Sequence, residues 1–406
     1  MQSLSLTLWA VVAMIVLNVV LVTLTLGIKA VRSLNVRTTE KRIKKLESAL
    51  DDSLATGEVH PDLINLGDRD TDLLAIQMVD YLSVLRGADR ERLTRLAEDS
   101  GLVRQCFSRL RARNRWRKAR AAEHLGYFGG PAAVGPLKEL LSYPDETVRA
   151  VAARALARIG TPDAAEGLAR TLNDPSELTR LRMAENLERI GPLATPPLIE
   201  TLESGDPRAR VLAARILGNL RAGEASRALG RAMGGGALTD VRAQAALALG
   251  RIGDPDDVPA LKKAAQDDEW PVRAQAANAL GMIGDVSAIP TLQRLSVDRE
   301  WWVRLNGSRA LANIGPAGER ALAEILDGED RYARDRAAAT LEERGIVRRA
   351  VQELEAPGEK GAGARAMISA MVRAGAVRYL ERLARTLPDE GTRLALAKTM
   401  AEAHDA

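Results

Sequence analysis

Side chains that could perform covalent or metal chemistry are few in this sequence, and they lie far apart. The histidines His60, His124 and His404 lack the spacing of metal ligands, and a zinc or nucleophile–histidine site would need more partners than the chain offers. The single cysteine, Cys106, excludes an intramolecular disulfide and is expected to be a small buried side chain. The sequence therefore predicts no enzyme, no metal site and no cofactor.

A different chemistry, recognition by aromatic rings and guanidinium groups, is indicated in the second half of the chain. Two tryptophans stand at equivalent positions in adjacent copies of a repeated segment, and a third tryptophan and a tyrosine take the neighbouring position in successive copies. Aromatic and arginine side chains are the usual anchors of protein interfaces. The competing interpretation is that each ring fills a turn between helices. The set consists of Trp270, Trp301, Trp302, Tyr332, Arg273 and Arg304.

Polar side chains recur in the same copies at positions that a helical period would bring into line. If the second helix of each copy faces a concave surface, these side chains should line a groove beside the aromatic set. We therefore predict that both sets together form a partner-binding surface. The polar set consists of Gln244, Gln275, Asn278, Asn306 and Arg309.

Basic residues crowd the segment 104–120, which contains no acidic residue. Three interpretations are open: a solvated helix face, a patch that contacts anionic lipid headgroups, or a site for an acidic or phosphorylated partner. The net charge of the whole chain is only +4, so a nucleic-acid partner is not favoured. Beginning with Arg104, the patch comprises Arg109, Arg111, Arg113, Arg115, Trp116, Arg117, Lys118 and Arg120.

A repeat of about 31 residues positions all of these side chains. Its clearest copies are V-R-A-Q-A-A-L-A-L-G-R-I-G from Val241, V-R-A-Q-A-A-N-A-L-G-M-I-G from Val272 and V-R-L-N-G-S-R-A-L-A-N-I-G from Val303. Each copy is predicted to form two helices. In the second copy these cover 131–142 and 147–159, and the closing Gly160 supplies the left-handed residue that ends a helix. Ten copies can be followed from Lys118 onward, the last one shortened. The abundant alanines suit helices that stack at close range.

The repeated D-x-x-V-R-x-x-A-x-x-x-L-x-x-I-G string resembles the HEAT-repeat family, in particular the short class named after the bilin lyases. The resemblance extends from Lys118 to Ala403. It implies an all-α fold, an α-solenoid that forms a right-handed superhelix of about ten helix pairs. It also implies binding or scaffolding roles, although a minority of the short class act on bilins.

The N-terminal segment from Leu4 to Ile28 carries no charge and is long enough to cross a bilayer as a helix. Trp9 near one end suits an interface, and basic residues follow from Lys29 onward. A cleaved signal peptide is the alternative interpretation. We therefore expect a single-pass inner-membrane protein with its N terminus outside and its repeats in the cytoplasm. Anionic lipid is the expected partner of the basic residues near this anchor.

These features predict four regions: a transmembrane anchor (1–30), a basic juxtamembrane helix and linker (31–70), N-terminal capping helices (71–115) and the repeat solenoid (116–406). The capping helices are expected at 71–85 and 89–110. The predicted function is that of a membrane-anchored adaptor that binds a protein partner, such as a subunit of a glycan synthase or a secretion system. The alternatives are a bilin lyase-like or tetrapyrrole-handling protein and a nucleic-acid-binding repeat array.

Overall fold

The computed structural model describes residues 2–174, 176–234 and 236–405, apart from some side chains, most of them in the first helix. All regular secondary structure in these residues is helical, and they contain no β-strand. The chain divides into two compact units, residues 1–159 and 160–406. The predicted all-α fold is confirmed.

The first unit contains seven α-helices. Three of them precede the repeated helix pairs. In chain order the helices are α1 (Gln2–Thr56), α2 (Asp68–Val84), α3 (Ala88–Asp99), α4 (Leu102–Leu110), α5 (Arg115–Phe128), α6 (Val134–Leu140) and α7 (Glu146–Ile159).

The second unit continues the pairs, with a short helix followed by a longer one in most of them. The helices are α8 (Pro162–Arg170), α9 (Glu177–Ile190), α10 (Thr195–Ser204), α11 (Pro207–Asn219), α12 (Ser226–Ala232), α13 (Thr239–Ile252), α14 (Val258–Ala264), α15 (Trp270–Ile283), α16 (Ile289–Ser296), α17 (Trp301–Asn313), α18 (Pro316–Leu326), α19 (Arg331–Glu343), α20 (Ile346–Gln352), α21 (Glu359–Arg373), α22 (Val377–Thr386) and α23 (Glu390–Asp405).

The helices from α4 to α23 form ten pairs, as the ten copies of the repeat predict. The large apolar position of the repeat lies on the second helix of each pair. It is fully buried from Leu125 to Met371 and only half-buried at Met400. Within the second unit, α13 packs against α15 and α15 packs against α17. The core is therefore a series of thin layers, each shared by neighbouring pairs.

The closing position of the repeat keeps its left-handed backbone even where it is not glycine. The glycines Gly253 and Gly284 have φ of 81° and 75°, and Arg221 stands at the equivalent position with φ of 50°. A residue with a Cβ is strained in this region. The conformation is therefore dictated by the turn between pairs, and Arg221 adopts it at a cost.

Small residues allow the second helices of neighbouring pairs to approach closely. A Cβ added at Gly250 of α13 would lie 2.5 Å from the Cα of Ala279 in α15. At Gly281 the corresponding distance to the Cα of Ala310 is 2.6 Å. The sequence-based expectation that alanine and glycine mark close stacking is consistent with these distances.

In several pairs an arginine side chain bonds to a carbonyl of the loop between the two helices. At the basic position of the repeat, Nη1 of Arg242 donates to the carbonyl of Ala237 (2.6 Å), and Nη1 of Arg273 donates to that of Asp267 (2.8 Å). The Nε/Nη2 edge of these two guanidinium groups binds an aspartate of the next pair. Nε and Nη2 of Arg242 donate to both carboxylate oxygens of Asp267 at 2.9 and 2.8 Å, and Arg273 binds Asp298 in the same way at 2.8 and 2.9 Å.

The cap segment differs from the sequence-based expectation at one point. The helix predicted over 89–110 is two helices, α3 and α4, because Gly101 takes a left-handed φ of 79° between them. The second of these, α4, is the first helix of the first pair. The repeats therefore begin inside the segment 71–115 that the sequence assigns to the cap.

The N-terminal anchor is not supported. Most side chains of the segment 4–28, including that of Trp9, lie outside the described residues. In the part of the chain that the structure describes, no helix combines the length and the apolar character that a membrane crossing requires. A span needs about 20 consecutive apolar residues. The predicted single-pass localisation is therefore wrong.

Candidate functional site

A groove of about 800 Å³ crosses the second helices of five successive pairs in the second unit, α9, α11, α13, α15 and α17. It is formed by the first turns of these helices, where side chains four residues apart lie on the same face. Five of the predicted site residues line it: Trp270, Trp302, Gln244, Gln275 and Asn306.

The two tryptophans of the groove are open to solvent. Trp270 is 40% exposed and Trp302 is 54% exposed. The ring of Trp301 meets that of Trp302 edge-on, with centroids 4.6 Å apart, and is itself 49% exposed. Tyr332, at the start of α19, is 70% exposed. A ring that filled a turn would be buried, so these exposures favour contact with a partner.

Two amide side chains of the groove have polar atoms with no partner in the chain. Nε2 of Gln244 and Oε1 of Gln275 are buried from solvent and make no hydrogen bond with any described residue. Asn306, one helix further, donates from Nδ2 to the carbonyl of Ala274 (3.1 Å). Buried donors and acceptors without partners are rare and cost about 1–3 kcal/mol each. If the two amide groups turned toward the groove, a ligand that offers one acceptor and one donor would relieve that cost.

The two arginines that were predicted beside the rings, Arg273 and Arg304, both make hydrogen bonds within the chain. Arg273 is only 7% exposed, and its hydrogen bonds to Asp298 raise the pKa of its guanidinium. Burial alone would raise the pKa of the Asp298 carboxyl, but the bonds from Arg273 bring it below its ordinary value. Arg273 therefore holds neighbouring pairs together. Arg304 donates from Nη1 to the carbonyls of Asp298 (2.7 Å) and Arg299 (3.2 Å), and it lies 5.6 Å from the ring centroid of Tyr332.

The remaining two predicted site residues do not line the groove. Asn278 lies on α15, two turns beyond Trp270. Arg309 lies in the second half of α17 and approaches Glu343 at 3.5 Å, with both side chains about half exposed. Both residues therefore stay predictions without a place in this groove.

The groove extends two pairs further toward the N terminus than the sequence indicates. Its additional lining includes Leu181 and Leu238, which are 37% and 59% exposed, and the charged residues Glu177, Arg208 and Asp240. Leu181 stands at the position of Ala243 and Ala274, which is also a leucine, Leu305, in the copy from Val303. The size of this side chain alone therefore could not reveal the extension from the sequence.

In the first unit, acidic residues that are distant in sequence pair with part of the basic patch. Arg109, whose side chain is 13% exposed, binds Asp68 and Asp72 at 2.8 Å each. Arg117 lies 3.4 Å from Asp68, and Arg120 lies 2.7 Å from Asp72. The hydrogen bond from Arg109 lowers the pKa of the Asp68 carboxyl.

The remaining patch residues divide into bonded and unpaired groups. Arg115 binds Asp145 at 2.9 Å, and Lys118 donates to the carbonyl of Leu110. Trp116 is 61% exposed, with the Arg115 guanidinium 5.2 Å from its ring centroid. Among the described residues, three exposed arginines have no carboxylate partner: Arg104, Arg111 and Arg113. The run of positive charge in the sequence is therefore not a continuous positive surface.

Two of the side chains that could perform covalent chemistry, His124 and Cys106, are buried. Burial lowers the pKa of His124 and raises that of the Cys106 thiol to about 12, which leaves the thiol unreactive at neutral pH. Among the described residues, no three His, Cys, Asp or Glu side chains stand together as metal ligands would. The groove, with its rings and unpaired amides, is the candidate site.

The stacked helix pairs and the groove across their second helices define an all-α solenoid repeat protein. The family model of HEAT repeats matches residues 103–191, 195–280 and 264–342, more than half of the chain. The chain belongs to the HEAT-repeat family. None of the curated proteins matches the sequence.

Several solved structures are similar to this chain. An engineered protein is 21% identical over 85% of this chain and 97% of its own, with a TM-score of 0.30. YibA of Escherichia coli is 19% identical over 59% of this chain and 95% of its own, with a TM-score of 0.38. Kap121p, solved bound to Nup53p, is 14% identical over 85% of this chain and 47% of its own, with a TM-score of 0.46. The chain thus spans about half of Kap121p, and these likenesses concern the fold alone.

Proposed function

We propose that the protein is a scaffold that binds an extended segment of a protein partner in the groove across α9 to α17. The observation that carries this proposal is the pair of unpaired amide atoms, Gln244 Nε2 and Gln275 Oε1, on the adjacent helices α13 and α15, in a groove that two exposed tryptophans also line. The role of an assembly or regulatory subunit in a larger complex follows from such binding. HEAT-repeat membership supports a binding function in general.

The geometry suits a peptide backbone in particular. An extended chain presents alternating C=O and N–H groups and rises about 3.3 Å per residue. Neighbouring packed helices are about 8–10 Å apart, which corresponds to three residues of such a chain. One backbone carbonyl could therefore accept from Gln244 while an N–H about three residues away donates to Gln275. Trp270 and Trp302 would hold apolar side chains on either side.

The test is a selection of random dodecapeptides on the full chain, followed by affinity measurements on single variants. Trp270→Ala and Trp302→Ala should each weaken a selected peptide at least tenfold, since aromatic anchors at interface centres contribute about 2 kcal/mol or more. Trp116→Ala is the matched control, because Trp116 is equally exposed but belongs to the first unit. Equal losses in all three variants, or none, would contradict the assignment.

The amides offer a sharper criterion. Gln275→Leu removes a buried acceptor without a partner at nearly constant volume, so the free protein should become no less stable. Peptide affinity should nevertheless fall, because the backbone donor would then face an apolar side chain. A residue with a purely structural role would lose stability and leave affinity unchanged.

A further inference from the structure

The arginine–aspartate contacts between pairs stop at Arg304. Arg242 and Arg273 each use Nη1 for loop carbonyls and the Nε/Nη2 edge for an aspartate of the next pair. Arg304 keeps the first half of this pattern, because its Nη1 binds the carbonyls of Asp298 and Arg299. Its Nε and Nη2 bind no described residue. The position that is aspartate at 267 and 298 is Gly328 in the following pair.

The guanidinium of Arg304 is held in place by its Nη1, and its Nε/Nη2 edge binds no described residue. The two carbonyls fix its plane, and the Tyr332 ring lies 5.6 Å from its Cζ. Trp301, one helical turn earlier, is half exposed on the same face. A planar guanidinium whose orientation is fixed binds a carboxylate with two parallel hydrogen bonds and little loss of side-chain freedom.

We propose that the open edge of Arg304 binds the side-chain carboxylate of an aspartate in the protein partner, beside Tyr332 and Trp301. The chain itself shows the chemistry, since Asp267 and Asp298 occupy the equivalent edges of Arg242 and Arg273. This inference rests on the proposed function and specifies the partner: a segment with an aspartate and a neighbouring apolar residue. The groove would hold the rest of the segment.

An aspartate introduced into the chain itself tests whether the Nε/Nη2 edge of Arg304 is free to bind a carboxylate. A Cβ at Gly328 would lie 3.2 Å from the carbonyl oxygen of Ile325, with one further atom at 4.0 Å, and its φ is not positive, so a side chain can be introduced. Gly328→Asp should stabilise the full chain relative to Gly328→Asn, and this difference should disappear when Arg304 is Gln. If Asp and Asn are equivalent with Arg304 present, the edge is not available and the proposal fails.

Glu329 is the acidic residue of the chain that could compete for the same edge. In the structure it makes no ion pair with any described residue, and Asp330 instead accepts the N–H of Ala333 as a helix cap (3.0 Å). If Glu329 takes the edge in solution, Glu329→Gln should shift the Nε–Hε NMR signal of Arg304. That outcome would overturn the proposal. An unchanged signal supports it.

Binding itself is measured with a defined probe, N-acetyl-aspartate methylamide, and its asparagine counterpart as control. Arg304 Nε–Hε should respond to the aspartate probe at a concentration at least tenfold lower than exposed Arg299, and should not respond to the asparagine probe. Gly328→Asp should remove this response, whereas Gly328→Ala should retain it. Equal responses of Arg304 and Arg299, or none at Arg304, would refute the site. Peptide binding that needs Trp270 and Trp302 but no aspartate would preserve the proposed function and reject this inference alone.

Discussion

The close contact between α13 and α15 makes Gly250→Ala a decisive substitution. A methyl group at this position would lie 2.5 Å from Cα and 2.7 Å from Cβ of Ala279. Carbon atoms in contact are separated by about 3.5–4.0 Å, so the two helices would have to move apart by about 1 Å. Backbone atoms cannot rotate away as the end of a flexible side chain can. The strain of overpacking is therefore expected to cost about 1–3 kcal/mol or more.

Helix propensity acts in the opposite direction. Replacing glycine by alanine inside a helix is worth about 0.5–1 kcal/mol when the methyl group meets nothing. Gly230 in α12 provides this control, because it too stands two residues before a helix end and has no atom within 4 Å of an added Cβ. We expect Gly230→Ala to be neutral or stabilising and Gly250→Ala to be net destabilising. Because this gain is common to both variants, they should differ by the overpacking cost alone, about 1–3 kcal/mol.

Urea denaturation followed by helical circular dichroism measures this difference through the midpoint and its slope. Hydrogen exchange shows where the change occurs, and faster exchange should be confined to α13, α15 and their immediate neighbours, as expected for stacked repeats. Because Gln244 and Gln275 lie on these two helices, peptide affinity should fall as well. If Gly250→Ala stabilises the chain as much as Gly230→Ala, the helices do not approach as described and the close-stacking argument fails.

Three further predictions concern single residues. Arg273→Lys should destabilise the second unit by about 3 kcal/mol, because it leaves the largely buried Asp298 without its two-bond partner, whereas Arg309→Ala, at a half-exposed ion pair, should cost less than about 1 kcal/mol in the same urea titration. Arg221→Gly should stabilise the chain by about 0.5–1 kcal/mol, since its left-handed φ of 50° strains a residue with a Cβ, and an unchanged midpoint would show that the turn carries no strain. Burial lowers the pKa of His124 below its ordinary value of 6.5, so the unfolded chain takes up the proton first. Stability should therefore be complete above about pH 6.5 and decline as the pH falls below it. His124→Leu should remove that decline between pH 7.5 and 5.5 in thermal melts, and an identical decline in the variant would exclude this residue as its cause.

Most of the fold could be predicted from the repeat pattern, because each repeated position has one local physical role. The buried leucine, the closing left-handed residue and the loop-clamping arginine act within one pair or between neighbours, so their spacing in sequence is their spacing in space. Even the departure at Arg221 follows the pattern, since its backbone takes the conformation of the missing glycine. The groove was located in part for the same reason: Trp270, Gln275 and Asn306 fall on equivalent faces.

The charge pattern could not be interpreted in this way. The run from Arg104 to Arg120 contains no acidic residue, but its partners Asp68 and Asp72 come from α2, which the fold places beside α5. No local sequence pattern predicts that these arginines pair with carboxylates of α2. The N-terminal anchor was predicted from the length and uncharged composition of 4–28, from Trp9 and from the basic residues that follow, but the described helices do not include a membrane-spanning one.

In the middle of the second unit, closely packed helices carry polar groups without partners, and the packing explains why these groups stay unpaired. A glutamine in a flexible surface would rotate until its amide found a partner. Here the two-bond contacts of Arg242 and Arg273, and the approach of Gly250 and Gly281 to the next helix, fix the spacing of α13, α15 and α17. The amides of Gln244 and Gln275 therefore stay unpaired in the free protein. Arg304 lacks the aspartate partner that Arg242 and Arg273 have, so the Nε/Nη2 edge of its guanidinium is a further polar group without a partner among the described residues. A partner that satisfies these groups needs only the two amide groups to turn toward the groove, because the cost of ordering the helices was met when the repeats stacked.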